Sequence, residues 1–209
     1  AVPNGRVTLT ANGQTLSFLG AADYSGSSAF SYTVKSGGVT ESANISINIA
    51  AVNDAPRIHL EGSAAGSNYS ASYASEKAPI GRQVSVTDPE NDNIVSMTVT
   101  LSGATAADAL SMGATIAGLS ASYDAASGVL TISGNRTLAD YQAALDSVRF
   151  QTTSGSTAQR TFTVAAVSAN ASTASNTATA TLTSLDRDGD GVADAGDIDH
   201  GKDGNVHVR

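Results

Sequence analysis

The sequence has no cysteine and no tryptophan among its 209 residues, and only four prolines. Without cysteine there is no disulfide framework, no thiol nucleophile and no thiolate metal site. Aromatic residues make up 5% of the chain, although hydrophobic residues together make up 41%. The apolar residues are therefore mostly Ala, Val, Leu and Ile, which fill thin layers, and the abundant Thr and Val favour strands. This composition predicts an all-β chain with one large or two small domains.

Basic residues are also scarce, with 11 Lys and Arg against 19 Asp and Glu, which gives a net charge of −8. An acidic chain repels nucleic acid and anionic membrane surfaces, so we expect neither as a partner. No apolar run approaches 18 residues, and the first residues do not form a charged-apolar-small leader. We therefore expect a soluble chain without membrane insertion, whose export signal lies outside this sequence.

Motifs for catalysis are missing as well. There is no serine in a nucleophile elbow, no phosphate-binding glycine loop, and the three histidines have no zinc-like spacing. Asp23, Asp108 and Asp124 are interpreted as turn or cap residues, because isolated aspartates in such positions are more often structural than catalytic. We expect that the chain is not an enzyme.

The first quarter of the chain predicts two hairpins. Alternating apolar residues flank Asn12-Gly13 and then Gly37-Gly38, the pattern of paired strands joined by tight turns. The four predicted strands are 7–10, 16–19, 29–34 and 43–49. A four-stranded half sandwich exposes its apolar face, which is unfavourable in water. Either a module is interrupted here, or these strands pack on the second module or on a neighbouring chain.

Residues 119–182 repeat this pattern in degenerate form, with Ala139-Asp140-Tyr141 echoing Ala22-Asp23-Tyr24. One helix is predicted over 138–146, capped by Thr137, with Leu138, Tyr141, Ala144 and Leu145 on one face. We expect it to cross over the end of a sandwich. The sequence thus divides into the C-terminal half of a module at 1–55, a complete β-sandwich module at 56–185, and an Asp-rich segment at 186–209.

That last segment carries the sharpest motif, since seven of the 19 acidic residues lie between Asp186 and Asp203. In a 12-residue loop starting at Asp186, aspartates occupy positions 1, 3, 5, 9 and 12, Gly191 occupies position 6, and Val192 offers a backbone carbonyl at position 7. Calcium needs six to eight hard oxygens at about 2.4 Å, and alternate carboxylates around a glycine turn can supply them. The predicted ligands are Asp186, Asp188, Asp190, Val192, Asp194 and Asp197, with Asp199 and Asp203 available to a second ion. The loop resembles thrombospondin type 3 and dockerin-like calcium loops.

A second acidic group surrounds the predicted junction between modules. The residues are Asn53 and Asp54 in Val52-Asn53-Asp54-Ala55-Pro56, Glu76 after a strand-like run, and Asp88, Glu90 and Asp92 in one turn. With the segment 119–150, the "VNDAP" linker resembles the cadherin-like repeats of large bacterial RTX-type surface adhesins. That resemblance implies a cadherin/immunoglobulin-like β-sandwich stabilised by several calcium ions, with these six residues holding calcium at the junction. The alternative is that Asp88-Pro89 and Asn91-Asp92 merely form turns.

By the same resemblance, the chain is a segment of a secreted adhesin on the bacterial cell surface that mediates attachment or biofilm formation. Its expected partners are neighbouring modules of the same adhesin and a host or cell-surface peptide or glycan. Tyr69, Tyr73, Tyr123 and Tyr141 could line a ligand pocket or could instead cover the sandwich. Two other functions remain open: a structural subunit of a surface layer or filament, and an accessory module of a secreted hydrolase.

Overall fold

A computed structural model describes residues 2–62, 66–73, 77–170 and 174–186. The chain divides into two compact units, one up to Asp54 and one from Ala55 onward. Its secondary structure is almost entirely β-strand with one α-helix, so the expected all-β, sandwich-like fold class is confirmed. Within the described residues, no helix is long and apolar enough to cross a membrane.

Unit 1 consists of the two predicted hairpins. Strands β1 (Gly5–Leu9) and β2 (Leu16–Gly20) pair antiparallel, as do β3 (Gly26–Ser36) and β4 (Val39–Ile49). Gly37 and Gly38 between β3 and β4 have φ angles of 58° and 87°, which side chains disfavour and which a tight hairpin turn requires. Among the described residues of this unit, only Ser28 is fully buried. Unit 1 therefore has strands but no enclosed core.

Unit 2 contains the remaining strands and the helix. In chain order these are β5 (Arg57–His59), β6 (Tyr69–Tyr73), β7 (Ala78–Pro79), β8 (Ser85–Thr87), β9 (Ile94–Leu101), β10 (Asp108–Met112), β11 (Ser120–Asp124), β12 (Val129–Arg136), α1 (Leu138–Asp146), β13 (Val148–Thr152), β14 (Arg160–Ser168) and β15 (Ala178–Ser184). A six-stranded sheet has the order β11-β12-β9-β14-β15-β6, and smaller sheets are formed by β10-β13-β7 and β5-β8.

The core of unit 2 is filled by residues that alternate along these strands. In β14, every second residue from Phe162 to Ala166 is buried, and its neighbour β9 buries Met97, Val99 and Leu101. Phe150 of the smaller sheet packs edge-on against Phe162 of the larger one, with ring centroids 5.1 Å apart. Alternate burial of apolar side chains on strands of two sheets is the expected construction of a sandwich core.

The strands of the large sheet end at two opposite ends of unit 2. The entry end lies where Ile94 pairs with Arg136 and Ser168, and the exit end lies where Leu101 pairs with Phe162 and β15 finishes at Ser184. Strand β5 enters the unit beside β8, and the side chain of Asn176 holds it: Asn176 Oδ1 accepts from the Ile58 amide at 2.7 Å, and Nδ2 donates to the Ile58 carbonyl at 2.9 Å.

Helix α1 begins and ends as predicted. Thr137 caps it by accepting a hydrogen bond from the Asp140 amide at 3.2 Å, and its hydroxyl donates to Asp140 Oδ2 at 3.0 Å. This contact is the main cause of the lowered pKa of Asp140. The helix links β12 of the large sheet to β13 of a smaller one at the entry end, which confirms the predicted crossover.

Tyr141 fixes α1 to a bulge in β12. Its buried hydroxyl donates to the Gly134 carbonyl at 2.8 Å, where the pairing register of β12 shifts. Gly134 has a φ angle of 142°, and a Cβ there would meet the Gly118 carbonyl oxygen at 2.1 Å, so only glycine fits. The bulge directs a carbonyl into the core and gives the tyrosine its partner.

Burial raises the pKa of Tyr141 from its usual 10.0 to about 12. The unfolded chain therefore releases this proton first as the solution becomes alkaline. The stability linked to this group is fully present below pH 10 and is lost as the pH rises toward 12. We expect Tyr141→Phe to be less stable than the parent at pH 8 by about 1 kcal/mol, the usual value of one hydrogen bond. The difference should shrink between pH 10 and 11.5 in urea unfolding followed by circular dichroism. A constant difference across this range would contradict the assignment.

Candidate functional site

The acidic turn 88–93 connects β8 to β9 at the entry end of unit 2. Because Arg57 pairs antiparallel with Thr87, the register brings the residue before Arg57 beside Asp88. The turn therefore lies next to the point where the chain enters the unit. This places the predicted residues Asp88, Glu90 and Asp92 in one turn beside β5, the first strand of unit 2.

Asp88 organises the turn through one of its carboxylate oxygens. Oδ1 accepts from the amides of Glu90 at 3.1 Å and Asp92 at 3.2 Å, and the Asp88 carbonyl accepts from the Asn91 amide at 3.1 Å. Asn91 adopts a φ of 62°, in the left-handed region that asparagine tolerates. The hydrogen bonds of the turn thus account for Asp88 Oδ1, as expected if Asp88-Pro89 merely forms a turn.

The hydrogen bonds of the turn do not account for the second carboxylate oxygens of Asp88 and Asp92. Asp88 is only 9% exposed, and its Oδ2 is buried without a hydrogen-bond partner in the structure. The same holds for Oδ2 of Asp92 in the same turn. Buried polar atoms are nearly always partnered, and a lone carboxylate oxygen is costly to bury. Two such oxygens lie in this one short turn.

Asn170 holds the Asp92 carboxylate from the neighbouring loop, since its Nδ2 donates to Asp92 Oδ1 at 2.8 Å. Asn93 bonds Asn135 at 2.9 Å, and its carbonyl accepts from the Ala169 amide at 2.7 Å. Amide side chains therefore join the turn to the end of β12 and to the loop after β14. Asn170 and Asn176 were not predicted from the sequence, because each lies in an Asn-, Ser- and Thr-rich segment that gives no periodic signal.

The other residues predicted at the junction are less fully described. Glu90 is exposed in the turn. Asn53 and Asp54 belong to unit 1, where Asn53 Nδ2 donates to the Asp54 carbonyl at 2.9 Å. Glu76 lies outside the described residues, three positions after Tyr73 at the exit end of β6. The joint participation of these residues with Asp88 stays a prediction.

Most of the predicted calcium loop also lies outside the described residues. Asp186 is described and half-buried, two residues after β15 ends. The undescribed members of the two predicted tail sites are Asp188, Asp190, Val192, Asp194, Asp197, Asp199 and Asp203. Their role in metal binding stays a prediction.

The carboxylate oxygens of the turn are the type of ligand that calcium prefers, but they are too few to complete its coordination shell. Carboxylate oxygens are the hard ligands that calcium prefers, and six to eight oxygens complete its shell. Among the described residues, no three or more His, Asp or Glu side chains form a metal-binding group. Asp88 and Asp92 would therefore hold the ion with neutral oxygens from amides, carbonyls or water.

A second buried polar group lies at the exit end, and its central residue was interpreted too simply from the sequence. Asp108 does close a local turn, because its Oδ2 accepts from the Thr105 amide at 2.9 Å and hydroxyl at 2.8 Å. Its Oδ1, however, faces Arg160 Nη2 across 3.5 Å. The Asp108 side chain is 0% exposed and that of Arg160 is 10% exposed, so this is a buried ion pair between two sheets.

Tyr73 and Ser184 surround the ion pair. Burial raises the pKa of Tyr73, while the nearby Ser184 hydroxyl and the Arg160 charge lower it. The Ser184 hydroxyl is thus close to Tyr73, yet neither hydroxyl forms a hydrogen bond. Asp124, in contrast, is an ordinary turn residue, whose pKa is lowered by hydrogen bonds from Ser127 and Ala126.

No family model and no curated protein matches this chain. Among solved structures, it is similar to the C-terminal domain of the antigen I/II-family protein AspA of Streptococcus pyogenes, at 9% identity and a TM-score of 0.27. The match covers 80% of this chain and 58% of that chain, so it spans less than two thirds of that chain's length. A likeness at this level carries neither a fold nor a function from one protein to the other.

Proposed function

We propose that this chain is a calcium-dependent extracellular segment of a bacterial surface adhesin. The observation that carries the proposal is the pair of buried, unpartnered oxygens, Asp88 Oδ2 and Asp92 Oδ2, beside the strand that enters unit 2. An ion bound there neutralises two carboxylates that otherwise repel each other in a low-dielectric site. The same ion ties the turn to the entry end and stiffens it.

An extending role fits the described residues better than ligand capture in a tyrosine-lined pocket. Tyr69, Tyr73 and Tyr141 are 9% or less exposed and belong to the core. Tyr73 packs edge-on against Phe150 at 5.8 Å. These three side chains fill the sandwich interior, while the fourth candidate, Tyr123, is partly buried and donates to the Asp108 carbonyl at 3.4 Å. A peptide or glycan ligand would have to bind elsewhere, and a glycan and peptide array probed in calcium would identify it.

Calcium titration by isothermal calorimetry tests the proposal at the predicted site. We expect the double variant Asp88→Asn, Asp92→Asn to lose one binding event, because each substitution removes a negative ligand while preserving shape. Asp124→Asn is the matched control, since Asp124 is an exposed turn aspartate far from the entry end. Equal stoichiometry in all three proteins would remove the entry-end site from the proposal.

A second function, a subunit of a surface layer or filament, is favoured by one observation. Unit 1 exposes large apolar side chains, among them Leu9 at 61% and Leu19 at 64%. Exposed apolar patches often mark association surfaces. Sedimentation with and without calcium separates the two functions, because a monomer under both conditions contradicts the filament.

A further inference from the structure

Strand β6, in the first part of unit 2, pairs with β15, the last strand of the unit, and the two strands run parallel. The other pairs of named strands in the described residues are antiparallel. The parallel register runs from Tyr69 beside Ala180 to Tyr73 beside Ser184, which makes five residue pairs. Parallel pairing between the beginning and the end of a unit has a mechanical consequence when the unit is pulled.

The chain enters and leaves unit 2 at opposite ends of the large sheet. It enters at the entry end, where Arg57 pairs with Thr87, and it leaves at the exit end after Ser184. A pull on both ends of the unit therefore draws β6 toward the entry end and β15 toward the exit end. Because these strands are parallel, the load acts along them and strains all five residue pairs together.

The backbone groups that join β6 to β15 belong to alternate residues of β6. The Leu185 amide donates to the Tyr73 carbonyl at 2.9 Å, so the backbone groups of Tyr73 point toward β15. Successive residues of a strand direct these groups to opposite sides. Ala71 therefore also pairs with β15, whereas the amides of Ser70 and Ser72 point to the free edge of the six-stranded sheet.

Two asparagine side chains continue this connection toward the entry end. Asn68 Oδ1 accepts a hydrogen bond from the Thr179 amide at 2.9 Å, one residue before the paired part of β6 begins. Asn176 binds both the amide and the carbonyl of Ile58, at 2.7 and 2.9 Å. The segment that enters unit 2 is thus bonded to the segment that leaves it at several points along both.

We propose that unit 2 is a load-bearing module, in which the parallel pair β6–β15 is a shear clamp that resists tension along the strands. The clamp resists because its hydrogen bonds share the load, whereas an antiparallel hairpin pulled at its open end breaks them one after another. The biological use of the clamp rests on the proposed function, since an extender of a surface adhesin carries tension between the cell and its target. The resistance itself depends on the strand pairing of unit 2.

Single-molecule force spectroscopy on the full 209-residue chain tests the clamp. The chain has no cysteine, so two introduced cysteines are unique attachment points. Val52→Cys with Arg209→Cys loads unit 2 in shear, because Val52 is 78% exposed and precedes the unit. Thr157→Cys with Arg209→Cys pulls β14 and β15 apart from the exit end, so that their residue pairs open one at a time.

We expect the shear geometry to rupture at a several-fold higher force than the unzipping geometry at the same loading rate. The rupture in shear should lengthen the chain by roughly 400 Å, because residues 57–185 extend by about 3.3–3.6 Å each. This length identifies unit 2 as the part that opened. Equal rupture forces in the two geometries would overturn the proposal.

Proline substitutions in β6 provide a matched pair of variants. Ala71→Pro removes an amide that points to β15, whereas Ser70→Pro removes an amide at the free edge. We expect Ala71→Pro to lower the shear rupture force toward the unzipping force and to leave the unzipping force unchanged. Ser70→Pro should leave both forces unchanged. Circular dichroism verifies that both variants keep their strands, and a folded Ala71→Pro variant with the parent's shear force would contradict the clamp.

Measurements in calcium and in EDTA separate the clamp from the proposed calcium site. The clamp consists of backbone and amide hydrogen bonds, so the difference between the two pulling geometries should persist in EDTA. A persistent difference without any effect of calcium would contradict the proposed calcium dependence and support the clamp. A difference that disappears in EDTA would assign the resistance to a bound ion and overturn the clamp.

Discussion

Arg160→Met should destabilise unit 2 by about 3–5 kcal/mol, the range observed when one partner of a buried ion pair is removed. The Asp108 side chain is 0% exposed, and Arg160 is its ion-pair partner within the described residues. Methionine preserves the packing of the aliphatic stem but leaves a buried carboxylate uncompensated. Thermal unfolding followed by circular dichroism should show a decrease on the order of 10 °C.

The double variant Asp108→Asn, Arg160→Met separates charge from packing. Asparagine keeps an oxygen for the hydrogen bonds from Thr105 but carries no charge to neutralise. We therefore expect the double variant to recover much of the lost stability, with strongly non-additive effects of the two substitutions. A loss below 1 kcal/mol for Arg160→Met, or simple additivity, would indicate that solvent reaches the pair.

Local patterns predicted the parts of the fold whose signals are contained in a few neighbouring residues. The hairpin at Gly37-Gly38 and the helix capped by Thr137 were predicted correctly because turn chemistry and capping act over four or five positions. No strand was predicted at β7 or β8, which are two and three residues long. Such short strands form because a neighbouring strand pairs with them. Sequence periodicity over two or three residues cannot reveal this pairing.

The candidate site was predictable in its residue types and not in its supporting contacts. Asp88 and Asp92 are recognisable as an acidic turn, but the partner of Asp92 is Asn170, 78 positions later. Likewise, nothing near Asp108 in the sequence points to Arg160, because their proximity depends on how two sheets pack. Contacts across loops and layers follow from the tertiary fold, which local propensity does not encode.

Removing calcium with EDTA should lower the melting temperature of the chain by about 5–10 °C. An ion that binds only the folded state at a hundred times its Kd adds about 2.7 kcal/mol, and each kcal/mol corresponds to about 2–4 °C for a domain of this size. The proposed reason is that an ion held at Asp88 Oδ2 and Asp92 Oδ2, which are buried without hydrogen-bond partners, binds only the folded state. Differential scanning calorimetry in calcium and in EDTA measures the effect.

Variants in the turn 88–93 and in the tail loop show which of these two acidic groups causes the decrease in melting temperature. Asp92→Asn should melt at nearly the same temperature with and without calcium, because the substitution removes a charged ligand of the proposed ion. Asp188→Ala with Asp190→Ala should release an ion from the predicted tail loop while the sandwich keeps its calcium-dependent melting. If Asp92→Asn retains the full response to calcium and the tail variant loses it, the stabilising ion belongs to the tail, and the entry end stiffens the unit through its hydrogen bonds alone.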